Sequence, residues 1–135
     1  MQREVNRLLD ELAPERTSAR SSQPVVAPIQ QHRSPNGCIL QAEAAALSVT
    51  WYAVADDQDR VGELQIVLWR GVVSRRGATQ AKTPAEVVRQ EVLNPIENPT
   101  DESVWRSRDG TVYTTAELGA HCLALLEQQM QAEKP

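Results

Sequence analysis

Two neighbourhoods hold the histidines and cysteines of this chain: His32 and Cys38 in "HRSPNGC", and His121 and Cys122 in "AELGAHCLALLEQQM". These are the right residue types for a four-ligand zinc site. Either pair could also serve as a cysteine nucleophile beside its base. The spacing argues against both. No CxxC or HxxxH pattern is present, and consecutive helical positions point about 100° apart, so His121 and Cys122 do not converge on one ion. On a helix, Leu118, Cys122, Leu123, Leu125, Leu126 and Met130 fill one arc, with His121 just past its edge. Cys122 then reads as a small buried hydrophobe. A reactive thiolate needs an exposed, electropositive setting, which an apolar helix face does not offer. The expectation is no metal site, no cofactor and no catalytic residue.

Other polar clusters have their own competing readings. Asp56, Asp57 and Asp59 crowd one turn in "DDQDRVGE", but a calcium loop needs a longer alternation of oxygen ligands and a closing glutamate. "WRGVVSRRGATQAK" is the one sustained basic run, with Arg70, Arg75, Arg76 and Lys82. With Arg106, Arg108, Tyr52, Trp69 and Tyr113 it could form a basic, aromatic surface for phosphates, carboxylates or bases. The competing reading is charge that keeps strand edges from aggregating. Neither GxGxxG nor a Walker loop occurs. Glu63 and Glu43 would need to meet in a cleft for acid–base work.

The elements that must position these residues are legible to different degrees. "ALSVTWYAVADDQDRVGELQIVLWR" reads as a β-hairpin. In one register Leu47 faces Leu68, Val49 faces Ile66 and Trp51 faces Leu64. That gives a dry face, and it leaves Ser48, Thr50 and Tyr52 opposite Val67, Gln65 and Glu63 on a wetter one. A one-residue slip scrambles both faces. "CILQAEAAA" suits either a helix or an added strand. "KTPAEVVRQEVLNP" carries helix signals: Thr83 as N-cap, Pro84 at the first position, Glu86 closing a capping box, and a stop at Asn94 before Pro95. "VWRSRDGTVYT" reads as a hairpin turning at Asp109-Gly110 with type I′ geometry. Thr114 and Glu117 form a capping box for a last helix.

At the start, Val5, Leu8, Leu9 and Leu12 make one helical stripe ending before Pro14. Such a helix is too short to stand alone. It must dock, on its own chain slightly ahead of a second one. "PERTSARSSQPVVAPIQQHRSPNG" reads as a linker.

The 135 residues carry a formal net charge of −4. That argues against a dedicated nucleic-acid binder. Nothing in the sequence resembles a signal peptide or a membrane span. The expectation is therefore an α+β protein: an antiparallel sheet built from two hairpins with helices on one face, an N-terminal arm (1–13), a Pro/Ser-rich linker (14–37) and a domain (38–135). Its expected role is a non-catalytic interaction or accessory module, cytoplasmic, binding a protein partner or itself as a homodimer. Val5, Leu8, Leu9, Leu12 and Trp69 would form the interface. The alternative is a small-anion or nucleic-acid binding domain using Arg70, Arg75, Arg76, Arg106, Tyr52 and Tyr113. An enzyme of unnamed class comes third.

Overall fold

The computed structural model describes residues 2–12, 29–42, 44–53, 62–73, 85–96 and 104–132. Among these, helix α1 (Gln2–Glu11) precedes strands β1 (Gln30–Ser34), β2 (Gly37–Gln41), β3 (Ala45–Ala53), β4 (Gly62–Arg70), β5 (Glu86–Pro95), β6 (Trp105–Ser107) and β7 (Val112–Tyr113), and helix α2 (Thr115–Ala132) follows. The fold is α+β. The seven strands form one sheet in chain order, each antiparallel to the next.

The β3–β4 hairpin sets the two faces. Leu47 faces Leu68, Val49 faces Ile66 and Trp51 faces Leu64, and all six are buried. This is the register that apolar alternation demands. Cys38 and Leu40 of β2 extend the dry face on one side, and Leu93 and Trp105 extend it on the other. Trp105 stacks edge-on against Trp51, ring centroids 5.9 Å apart.

Both helices lie on this face. Leu118, Cys122, Leu123, Leu125 and Leu126 of α2 join Val5, Leu8 and Leu9 of α1, and Leu12 just past its end, in one core cluster. The helices approach closely where α2 carries Gly119. A Cβ there would sit 2.9 Å from Cβ of Glu11, tighter than real contacts allow. Polar ties hold α1 in place. Glu4 accepts from Thr115 Oγ1 (2.7 Å), which itself accepts from Trp105 Nε1 (3.3 Å). Arg33 of β1 donates to Asp10 (2.8 Å) and to the Asn6 carbonyl (3.3 Å), and Gln31 donates to the Leu9 carbonyl (3.1 Å). The start of α2 is a reciprocal capping box: the Glu117 N–H donates to Thr114 Oγ1 (3.0 Å) and the Thr114 N–H donates to Glu117 Oε1 (2.8 Å).

Several expectations need correction. The sheet is a single seven-stranded meander, not a pair of hairpins. Gln30–Ser34, inside the stretch read as linker, forms the edge strand β1. Of the two readings left open for "CILQAEAAA", the strand is the one found: "GCILQ" is β2. The largest change is Glu86–Pro95, expected as helix and found as β5. The outer edge of β4 needs backbone partners, and Val87, Val88 and Val92 favour extended chain. Those demands outweigh the local helix signals; Thr83 and Pro84 lie outside the described residues.

The Asp109-Gly110 turn is also not a two-residue type I′ turn. The Gly110 N–H bonds the Ser107 carbonyl (3.0 Å), the Ser107 N–H bonds the Thr111 carbonyl (2.8 Å), and Gly110 has φ 94°. This is the three-residue loop that places a glycine in the left-handed region.

Two outcomes follow. Ile66→Ala, which empties a buried position, should lower unfolding free energy by about 2–5 kcal/mol in denaturant titrations. The Asp109 carboxyl is held down to about 2, first by the Ser107 hydroxyl and then by the Thr111 N–H. Its folded pKa lies below the ordinary carboxylate value of about 3.9, so its contribution is complete above that value and fades as pH falls toward 2. Asp109→Asn should therefore flatten the loss of stability between about pH 4 and pH 2, measured by equilibrium unfolding across that range.

Candidate functional site

Among the described residues, helices cover one face of the sheet and none covers the other. The register arranges the open face in rows across the strands. Gln30, Gln41, Ala46, Trp69 and Val87 make the first row, and His32, Ile39, Ser48, Val67 and Gln90 the second. Ser34, Gly37, Thr50, Gln65 and Val92 make the third. A fourth row is Tyr52, Glu63, Asn94, Arg106 and Val112. The first three rows contain no Asp, Glu, Lys or Arg, in a chain in which 24% of residues are charged. Trp69 is half-buried here, its Nε1 donating to Ser48 Oγ (3.1 Å). Tyr52 is 48% exposed.

One end of this face is stiffened by Gln41, which is buried and fully used. Its Nε2 donates to the carbonyls of Ala42 (2.7 Å), Ala45 (3.2 Å) and Gly71 (3.1 Å), and its Oε1 accepts from the Val73 N–H (2.9 Å). The chain leaving β4 is thereby drawn against the open face beside Ala46. A buried amide with its donors and acceptor all engaged rigidifies its surroundings.

The proposed basic surface does not assemble from the described residues. Arg70 ends β4 beside Glu86 (3.6 Å), whereas Arg106 neighbours Asn94 at the other end of β5. Eight strand positions, Glu86 to Asn94, separate the two ends, about 25 Å, and by alternation the two side chains fall on opposite faces. Tyr113 lies on the helix-covered face, away from Tyr52. Arg75, Arg76, Lys82 and the aspartates at 56, 57 and 59 lie outside the described residues, as does Glu43. The stripe Val5, Leu8, Leu9 and Leu12, expected to serve as an interface, is buried within its own chain.

A polar cluster not foreseen from the sequence sits where β5 meets α2. His121 Nε2 donates to Glu91 Oε2 (2.8 Å), Arg89 Nη2 donates to Glu91 Oε1 (3.0 Å), and the His121 ring stacks on Tyr113 with centroids 5.4 Å apart. Burial first, then the Glu91 charge, push the Tyr113 phenol up. A carboxylate–imidazole pair can hold a proton, yet a hydrolytic triad also needs a nucleophile in reach. Cys122 is the next residue to His121, but its thiol is buried in the core, where desolvation raises its pKa strongly. Reading 83–94 as helix hid this cluster. The alternation Arg89, Glu91, Leu93 was the signal that could have exposed it.

The four residues weighed as a metal site do not come together as a set, although Cys38 and Cys122 share the core. His32 faces the open side of the sheet while Cys38 faces the core. Among the described residues, no three His, Cys, Asp or Glu side chains group as metal ligands. No helix among them is long and apolar enough to cross a membrane. In comparisons with protein-family models, curated proteins and solved structures, nothing matches the chain.

Both thiols should be inert in the folded state. Burial pushes the Cys38 thiol up to about 11, although Gln31 and Arg33 pull it down, and burial raises Cys122 further. At pH 8 a thiol reagent should label neither cysteine on the timescale that labels the unfolded chain, and both should react once denaturant is added. Rapid native labelling at Cys122 would return it to the list of candidate nucleophiles.

Proposed function

We propose that the chain is a non-catalytic interaction module and that the open face of its sheet is the surface on which a protein partner rests. The observation that supports this is the three rows without a formal charge. An ordinary solvated sheet face carries Lys, Glu and Arg; depletion of charge together with exposed aromatic and aliphatic side chains is what marks the centre of an interface. Trp69, Tyr52, Ile39, Val67 and Val92 supply the apolar contacts. Ser48, Thr50, Gln65 and Gln90 supply donors and acceptors that a polypeptide can pair. The rigid amide of Gln41 keeps one end of the surface preformed, which lowers the ordering cost of binding.

A photo-crosslinking residue placed at Gln65, in the third row, should yield protein adducts in the source cell. The same residue at Gln128, on the exposed side of α2, should yield none. Val67→Lys combined with Ile39→Lys should abolish the Gln65 adducts, with melting temperature confirming that the double variant is folded. Equal adducts at both positions, or adducts that survive the double substitution, would remove the open face as the binding surface.

A further inference from the structure

The longest strand is not fully paired. β5 runs from Glu86 to Pro95 and is bonded to β4 along most of its length, but β6 takes only Leu93, Asn94 and Pro95. Along Glu86–Val92 nothing among the described residues pairs with the outer edge. Its side chains are correspondingly open, Val87 at 54% and Val88 at 43% exposure. Unpaired edge groups of this kind template another strand unless Lys, Pro or a cover blocks them. Glu86–Val92 contains neither Lys nor Pro.

The limits of the free stretch define how it can pair. A register shift opposite Leu68/Trp69 puts an irregularity at Val88 on one side, and β6 begins at Leu93 on the other. From Val88 itself up to Leu93 lie five positions, Val88–Val92, with Gln90 at the centre. We infer that this segment pairs antiparallel with the same segment of a second copy, about a two-fold axis through Gln90, joining two seven-stranded sheets edge to edge. The inference deepens the interaction-module reading by naming a second copy of this chain as one partner, and it uses the edge of the sheet and not its open face.

Charge selects the register. With Gln90 opposite Gln90, Arg89 of each copy stands opposite Glu91 of the other, and Val88 opposite Val92. Moving the axis by one residue sets Arg89 against Arg89 or Glu91 against Glu91, and like charges directly opposite are unfavourable. Glu91 already accepts from Arg89 of its own chain, and a carboxylate has lone pairs for a second guanidinium. The Val88–Val92 contacts fall on the open side, so the uncharged faces of the two copies become continuous. The other edges lack this self-complementarity. β7 has two residues, and β1 reads Gln-Gln-His-Arg-Ser with no acid to set against Arg33.

The test uses the full chain. Opposed residues of an antiparallel pair bring their Cα atoms to about 4.5–5.5 Å, within disulfide range. Gln90 is exposed and both native cysteines are buried, so Gln90→Cys introduces the accessible thiol. Mild oxidation should give a covalent dimer linked at position 90, much faster than Arg108→Cys on the exposed turn. A mixture of Val88→Cys and Val92→Cys chains should crosslink faster than either alone. By sedimentation across a dilution series, the unmodified chain should gain mass with concentration, and Arg89→Glu should weaken association by roughly tenfold or more. A chain that stays monomeric throughout, or a dimer that does not link through position 90, would overturn the pairing. Adducts at Gln65 from a monomeric chain would retain the open face while removing the edge. A Gln90-linked dimer without those adducts would do the reverse.

Discussion

The apolar face shared by β3 and β4 has to be kept from water, and the two helices that cover it come from opposite ends of the chain. That requirement organises the molecule. Neither helix is wide enough to shield the dry residues of a seven-stranded sheet, so α1 and α2 lie side by side. Gly119 permits the approach by offering no side chain where Cβ of Glu11 comes down. The seam is then polar at its margin: Trp105 donates to Thr115, Thr115 to Glu4. Those bonds satisfy groups that would be costly to bury unpaired. A helix of α1's length would be marginal in isolation; its stability is borrowed from the surface it completes.

The parts of this arrangement that local pattern determines were legible beforehand. The β3–β4 register follows from strict alternation over Leu47–Trp51 and Leu64–Leu68, because only one pairing keeps both faces consistent. The capping box at Thr114 and Glu117 is likewise a local motif with a local geometry. What escaped was decided at long range. Glu86–Pro95 follows helix signals at Thr83 and Pro84, although its valines favour extended chain. It becomes a strand because β4 presents an open edge to it. β1 is five polar residues with no alternation to read, and it is recruited by β2 and by Arg33 and Gln31 reaching α1. The candidate basic surface failed for the same reason. Residue types near one another in a list of strands say nothing about which end or face of the sheet they occupy.

The Glu91–His121 pair shows how one misread element conceals a site. Neither residue is notable until β5 is extended, when Glu91 points at the flank of α2 and meets the imidazole that lies just past the apolar arc. Its position follows from packing. Along the dry side of β5, Leu93 is covered by the core, and Glu91 and Arg89 come progressively out from under α2, so the side chains turn from apolar to charged. The cluster marks the rim of the core. It holds charge where the helix cover ends.

β5 is accordingly where the fold's two incomplete surfaces meet. Its inner edge, core-side leucine and ion pair tie it to the body of the protein, while among the described residues nothing pairs with its outer edge along Glu86–Val92. Sheets usually protect a long free edge with lysine, proline or a covering loop. Among the described residues the protection is a register shift at one end and a charge pattern, Arg89–Gln90–Glu91, that sets like charges opposite one another when the axis moves one residue either way. Such a pattern discriminates among partners more than it stabilises any one of them, because exposed ion pairs contribute little net energy while misplaced like charges cost the wrong register its pairing. An edge built in this way is poorly suited to open-ended aggregation, since pairing two copies consumes the same five residues on both and leaves only β1 and the short β7 outside.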